Sequence, residues 1–326
     1  MRSLSAAMVT GGAGFLGSWI VETLRNQGLR TTVLDDLSTG SAEHIDVSDL
    51  IVADVRATKV DQIIEERGID VVFHLATPAY VPPSLRWPLH DLEGNVVTIL
   101  ALLECLRKLK RPPLVVYASS AAVYGEGQGV PITEEHEIRP ISPYGVSKSA
   151  AEQYLRLYSE LYGIPALSVR LFSLYGPRQR KQVIYDLLQR AFSGERPLTV
   201  LGSPKVSRDF VFVKDAARAF LTLARRAPAR GEAYNIGSGK PTSLGELVTV
   251  LLHEAHLKVP VRFTGEVRAG DPLRWEADPR KARALGVHCA TPLNEGIRST
   301  TQWFLETLGP SAAAIREHAK PETVVA

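Results

Sequence analysis

Apolar positions along the first half of the chain follow two periods. The run Ala6 to Thr10 is continuously apolar and predicts a buried strand. It leads straight into Gly11, Gly14 and Gly17. A stripe of helical period follows from Phe15 to Gln27, and Gly28 stops it. The next apolar run, Thr31 to Leu34, closes on Asp35-Asp36, and a later one closes on Ala53-Asp54-Val55. Further along, a helix is predicted near Val60 to Arg67, a strand over Val71 to His74, and a helix over about Asn95 to Lys110. Leu114 to Ser119 then reads as a strand, Pro143 to Tyr162 as a long helix, and Ala166 to Phe172 as another strand. This alternation predicts an α/β fold, a doubly wound parallel sheet with helices on both faces.

After Phe172 the rhythm loosens, with breaks at Gly176-Pro177, Gly194, Pro197, Gly202 and Pro204. Ser243-Leu-Gly-Glu246 has capping-box spacing and predicts a helix to about His256. Residues 1–172 are therefore read as a dinucleotide-binding domain of Rossmann type, with segments near 208–237 returning to it. Residues 173–310 are read mainly as a smaller α/β substrate-binding domain, and 311–326 as a frayed tail.

Composition narrows the function classes. The chain has 326 residues and 38 basic against 35 acidic side chains, so charge makes no case for nucleic acid or a membrane surface. No apolar run is long enough to span a bilayer. The first strand begins within a few residues of Met1, which leaves no room for a signal peptide. Cys105 and Cys289 form no disulfide framework. These features point to the cytoplasm.

The glycine turn carries the first chemistry. Gly11 permits a tight turn, Gly14 lets the backbone approach a pyrophosphate, and Gly17 lets the helix pack on the strand. The helix start at Phe15 and Leu16 offers free N–H groups and a positive dipole end to phosphate. A carboxylate at Asp35 or Asp36 accepts from a ribose 2′-hydroxyl and repels a 2′-phosphate, which favours NAD over NADP. Asp54 and Val55 fall where the adenine amino group would lie. Ligands of such sheets sit at the carboxyl ends of the strands, where Gly11, Asp35, His74, Ser119, Ser120 and Ser173 fall.

The second signal is Tyr144-Gly-Val-Ser-Lys148 at the start of the long helix. Residues four apart share a helical face, so a phenol stands beside an ammonium. A phenol with pKa near 10 needs roughly 4 kcal/mol of differential stabilisation to titrate near 7, within reach of the lysine and a positive nicotinamide. Ser120, in Tyr117-Ala-Ser-Ser-Ala-Ala-Val-Tyr-Gly125, could share the substrate proton with Tyr144.

The glycine turn with Ser120, Tyr144 and Lys148 resembles the extended short-chain dehydrogenase/reductase family, and more narrowly its NAD-dependent sugar epimerase/dehydratase branch. Leu75, Ala76 and Thr77 match a stretch lining the cofactor, and Asn95 matches an asparagine that buttresses the site. Arg170-Leu-Phe-Ser-Leu-Tyr-Gly-Pro-Arg178 matches the entry to the substrate domain. Gly202, Arg208-Asp-Phe-Val-Phe-Val213, Tyr234-Asn-Ile-Gly-Ser-Gly239 and Arg268-Ala-Gly-Asp271 complete the pattern. The resemblance implies a nucleotide-diphosphate sugar as substrate, most simply a UDP-sugar. It implies that Arg208 and Arg268 grip the diphosphate and Asp271 a ribose, and that NAD is the cofactor. It also implies a homodimer through a four-helix bundle.

Dehydratases of the branch carry an Asp-Glu pair just after the catalytic hydroxyl, where this chain has Ala121-Ala122, and a decarboxylase keeps the glutamate. Neither methyl group can move a proton. What remains is 4-epimerisation of UDP-glucose/galactose or UDP-glucuronate type. The alternatives are reduction of a 4-keto sugar by the same Ser/Tyr/Lys set, and a non-catalytic dinucleotide sensor, which would need none of the three. Ser173 and Gln182 stand where asparagines are common in the family. Ser173 with Arg180 could receive a carboxylate at sugar carbon 6. His253 and His256 lack further ligands, so no metal site is expected. Val96, Val97, Ile99, Leu100, Leu102, Leu103 and Leu106, with Ala150, Tyr154, Leu157, Tyr158 and Leu161, exceed what the sheet alone could cover and predict a partner surface.

Overall fold

The computed structural model describes residues 1–127, 129–266, 270 and 272–308. The chain runs β1 (Ala6–Thr10), α1 (Phe15–Asn26), β2 (Arg30–Asp35), β3 (Leu50–Val52), α2 (Val60–Arg67), β4 (Val71–His74), α3 (Val81–Arg86), α4 (Pro88–Leu92), α5 (Thr98–Leu106), β5 (Leu114–Ser120), α6 (Pro143–Tyr162) and β6 (Ala166–Leu171). It continues through β7 (Ser173–Tyr175), α7 (Gln182–Phe192), β8 (Leu198–Val200), β9 (Ser207–Phe212), α8 (Val213–Arg226), β10 (Arg230–Ile236), β11 (Pro241–Ser243), α9 (Leu244–Glu254), β12 (Val261–Phe263), α10 (Arg280–Arg283) and α11 (Leu293–Leu308).

Seven strands form one sheet in the order β10-β6-β5-β4-β1-β2-β3. Every pairing in it is parallel. Burial on both faces explains the continuous apolar runs: all five residues of β1 and all four of β4 are buried. The strand order reverses between β1 and β4, which opens a crevice at their carboxyl ends. Of the 208–237 segment, α8 packs on α1 and β10 joins the large sheet, whereas β9 pairs with β7 and β11 in a separate three-stranded sheet. A second core, with Tyr175, Leu188, Phe192, Leu251 and Phe304 fully or almost fully buried, holds α7, α9 and α11 together. Phe192 and Phe304 stack there with ring centroids 5.8 Å apart.

The helix expected over 95–110 begins differently. Glu93–Val97 is a π-helical turn before α5. Asn95 Nδ2 donates to the Asp91 carbonyl at 3.0 Å and Thr98 Oγ1 to the Glu93 carbonyl at 3.3 Å, so side chains enter the backbone ladder and widen it. Helix α6 follows local rules. Ser142 Oγ accepts from the Gly145 N–H, Pro143 takes the first turn, and Gly163 ends the helix at φ +68°. Its buried face carries Tyr144, Lys148, Ala151 and Leu155 at helical spacing. The capping box of Ser243 and Glu246 is present at the start of α9.

Candidate active site

A cavity of about 1330 Å³ opens at the carboxyl ends of the strands, between the large sheet and the smaller substructure. Gly11, Gly14, Phe15, Leu16 and Gly17 line one end of it. Gly11 adopts φ +71°, and a Cβ there would lie 2.6 Å from the Ala76 nitrogen. At Gly17 a Cβ would overlap the Gly11 carbonyl, so the start of α1 is pressed onto the turn. At Gly14 only the Gly11 oxygen lies nearby, at 3.2 Å, and the remaining space is cavity. The turn therefore offers bare backbone to a ligand, which fits a dinucleotide pyrophosphate.

Asp35 is buried, and its carboxylate accepts from the Ala13 and Leu37 N–H groups, each at 2.9 Å. Burial raises this carboxyl above its usual range against the pull of those two bonds. Two of roughly four lone-pair sites are used, so acceptor capacity remains for ribose hydroxyls. Asp36 is exposed at the rim and accepts from Ser38. Asp54 lines the cavity with Val55, yet its carboxylate is paired with Arg56 at 2.6 Å. Leu75, Ala76 and Thr77 line the wall between the two ends.

Ser119, Ser120, Tyr144 and Lys148 meet in the middle of the cavity wall. The Lys148 ammonium is 1% exposed and donates to Thr77 Oγ1 and the Ala118 carbonyl, both at 2.8 Å. It stands 4.8 Å from the Tyr117 ring centroid and 5.7 Å from that of Tyr144. Tyr144 is buried, and its hydroxyl is hydrogen-bonded with Ser120.

The expected fall of the phenol towards neutrality calls on the lysine and a positive nicotinamide together. In the protein alone burial wins: it pushes Tyr144 up to about 12, with the Ser120 bond opposing and Asp91 adding to the rise. Burial likewise lowers Lys148 to about 7, against the attraction of Asp91 and Glu152. Burial thus works against the charged form of each group.

Other expected residues fall in different places. Ser173, Gln182 and Arg208 line the cavity, with Gln182 Oε1 accepting from Gln179 at 3.2 Å and the Arg208 guanidinium 5.6 Å from the Trp275 ring. Asn95 is fully buried behind the wall and bonds Asp91 rather than facing the cavity. Arg180 also lines the cavity, but its side chain is 57% exposed and pairs with Glu43 at 3.5 Å. Arg268 and Asp271 lie outside the described residues.

Several residues at the site escape sequence reading. Trp275 walls the cavity, packs on Phe172 at 6.0 Å and donates to the Gly125 carbonyl at 2.9 Å. Lys181 lines it 5.7 Å from the Tyr80 ring. Glu152 accepts from Ser119 at 2.5 Å and from Arg170 at 2.7 Å. The signal for Glu152 is its spacing: Tyr144, Lys148 and Glu152 recur every fourth residue on one helical face. Nothing local marks Trp275, which is 150 residues from its hydrogen-bond partner. Among the described residues no group of three metal-ligating side chains converges, and no helix is long and apolar enough to cross a membrane.

Comparison with known proteins agrees with this geometry. UDP-glucose 4-epimerase of Mycolicibacterium smegmatis is 33% identical over 307 residues, covering 91% of this chain and 97% of that protein. UDP-glucuronate 4-epimerase of Thermodesulfobacterium geofontis is 28% identical over 317 residues, 92% of this chain and 96% of that one. The crystal structure of Thermus thermophilus UDP-glucose 4-epimerase in complex with NAD superposes with a TM-score of 0.84 at 33% identity, covering 92% of this chain and 98% of that one. The model of the NAD dependent epimerase/dehydratase family matches residues 7–237, well over half of the sequence. The chain belongs to the NAD dependent epimerase/dehydratase family.

Proposed function

We propose that the protein is a UDP-hexose 4-epimerase, interconverting UDP-glucose and UDP-galactose with NAD held in the site. The carrying observation is that Ser120, Tyr144 and Lys148 share one wall of a cavity that begins at a bare glycine turn. Ala121 and Ala122, where dehydratases need acids, are buried methyl groups. Gly11, Gly14, Gly17, Asp35 and Thr77 would hold the dinucleotide, which when bound accepts a hydride from sugar carbon 4 and returns it. Tyr144 takes the carbon-4 hydroxyl proton and gives it back, Ser120 orients that hydroxyl, and Lys148 supplies fixed positive charge. Gln182, Lys181 and Arg208 would meet the diphosphate. Residues 1–172 with α8 and β10 would form the dinucleotide unit and the remainder the sugar-nucleotide unit. The two free thiols suit a reducing compartment such as the cytoplasm.

A homodimer through α5 and α6 belongs to the same proposal. Ile99, Leu102, Leu103 and Leu106 are buried against the sheet, whereas Val97, Tyr154, Leu157 and Leu161 are exposed, Leu161 by 62%. A second copy would cover this apolar strip. Native mass spectrometry of the purified protein should give a two-chain species carrying NAD, because an epimerase regenerates its cofactor each turnover. Empty protein that consumes added NADPH stoichiometrically would replace this reading by keto-sugar reduction. A one-chain mass would remove the dimer alone.

The sugar is proposed to be neutral. A carboxylate at carbon 6 would call on the Arg180 guanidinium beside Ser173, and Arg180 is 57% exposed with Glu43 at 3.5 Å. The relative named for glucose is also more similar than the one named for glucuronate. The kcat/KM for UDP-glucose should exceed that for UDP-glucuronate by about tenfold or more. Arg180→Ala should leave the ratio nearly unchanged. A preference for the glucuronate that collapses in Arg180→Ala would reverse the assignment.

A further inference from the structure

The segment 176–182, from the end of β7 to the start of α7, brings four side chains to the cavity: Gln179, Arg180, Lys181 and Gln182. Its backbone is strained. Arg178 adopts φ +74° and Gln182 φ +72°, the left-handed region that side chains other than glycine rarely enter. Such conformations persist where the surrounding structure over-determines them, and they gather at ligand clamps. Gln179 ties the segment to itself, with Nε2 donating to the Leu174 carbonyl at 3.1 Å and to Gln182 Oε1 at 3.2 Å.

Helix α1 holds this segment from outside. The Trp19 indole donates to the Pro177 carbonyl at 3.0 Å, and the Arg178 guanidinium lies 3.8 Å from the Trp19 ring centroid, at stacking distance. The same guanidinium donates to Ser18 Oγ at 3.3 Å and to the Glu22 carboxylate at 2.5 Å. Trp19 is buried, and the Arg178 side chain is only 16% exposed. Lys214, on α8, stands 4.5 Å from the same ring. The contact of Arg180 with Glu43 is longer and solvent-exposed on both sides, so it holds less. Phe15, Leu16 and Gly17 line the cavity at the glycine turn, and Ser18, Trp19 and Glu22 follow on the same helix. One helix thus offers its start to the dinucleotide end of the cavity and its next turns to the 176–182 segment.

We propose that Arg178 is a positioning residue for the sugar nucleotide: its guanidinium clamps the 176–182 segment onto α1, so that Gln179, Lys181 and Gln182 stand ready for the diphosphate before it binds. The proposal takes its ligand from the epimerase reading above. Arg178 does not itself line the cavity, and its side-chain bonds go to α1, so it acts through the segment. Without the clamp, the segment has to be ordered each time the ligand binds, at the expense of affinity. Ser120, Tyr144 and Lys148 stand on β5 and α6, away from these contacts. Ground state and transition state lose the same binding, which raises KM and spares kcat.

In the NAD-loaded protein, Arg178→Met should raise KM for UDP-glucose by about tenfold or more, with kcat within about threefold of wild type. The Kd for UDP, measured by calorimetry, should rise in step, and trypsin should cut after Arg180 and Lys181 faster than in the wild type. Arg178→Lys keeps a charge near Glu22 without the planar fork and should recover only part of the loss. A merely structural role would lower the melting temperature and leave KM, Kd and cleavage rate in place, which overturns the proposal, as would a fall in kcat alone. Should Arg178→Met not fold, Glu22→Gln decides, because Glu22 is 43% exposed and its change removes one partner of the guanidinium. KM and UDP Kd raised by about twofold or more would support the clamp, and values equal to wild type would refute it. A wild type that turns over no UDP-hexose would sink the epimerase reading, while the UDP Kd and the cleavage rates would still judge Arg178.

Discussion

Tyr144→Phe should remove turnover almost entirely, by about 10²–10⁴-fold in kcat, with fold and cofactor content preserved. The ring is 8% exposed and packs identically without its hydroxyl. The lost bond with Ser120 costs stability only about 1 kcal/mol. On the proposed function the Tyr144 hydroxyl exchanges the proton with the sugar, and neither Ala121 nor Ala122 can substitute. Steady-state turnover of UDP-glucose, the released dinucleotide and a thermal melt together check it. A variant within a few-fold of the wild-type rate would remove Tyr144 from the mechanism.

The energetics behind this expectation differ from a reading of the spacing alone. Starting from about 12, half-ionisation of Tyr144 at pH 7 requires roughly 7 kcal/mol of differential stabilisation, against roughly 4 from a phenol's ordinary value. The added cost is desolvation. Lys148 cannot meet it alone, since its own ammonium is depressed by the same burial and donates to Thr77 and Ala118. A positive charge arriving with the ligands has to supply the rest.

What can be read from the sequence is local. The glycine turn, the capping box at Ser243 and the face shared by Tyr144 and Lys148 depend on neighbours within a few residues. The parallel sheet follows from runs such as Ala6–Thr10, because burial on both faces leaves no polar alternation. Motifs do not name every partner a side chain finds in the fold. Arg180 lines the cavity on the expected loop, and Glu43, 137 residues away, lies 3.5 Å from its guanidinium. The motif around Asn95 assigns it to the site. The π-helical turn places it behind the wall, where its amide holds Asp91. Burial of Tyr144 depends on α3 and α4 packing over α6, which no spacing within α6 encodes.

Arg170→Met should cost about 3–5 kcal/mol of stability and lower the melting temperature by on the order of 5–10 °C. Arg170 lies on β6 with its side chain 9% exposed, and Glu152 opposite is 10% exposed. Burial opposes the guanidinium charge, yet the bond to Glu152, its charge and Tyr124 together more than offset it and raise Arg170. The same guanidinium donates to Tyr124 Oη at 2.7 Å, and Tyr124 in turn donates to Asn235 Oδ1 at 2.8 Å on β10. Removing it strands the Glu152 carboxylate in the interior, one turn of α6 from Lys148, and leaves the Tyr124 hydroxyl with one partner fewer. A methionine fills much of the volume, so the loss reads charge rather than packing. The control is Glu152→Leu in the same background. Removing the stranded carboxylate should recover at least about 1 kcal/mol, making the double variant more stable than Arg170→Met alone. Equal melting temperatures for Arg170→Met and wild type would show that the pair contributes nothing. A double variant no better than the single would show that the cost lies in the Tyr124 and Asn235 bonds. Turnover offers a second reading: Glu152 also anchors Ser119, beside Ser120, so kcat should fall in the single variant even at temperatures where it is fully folded.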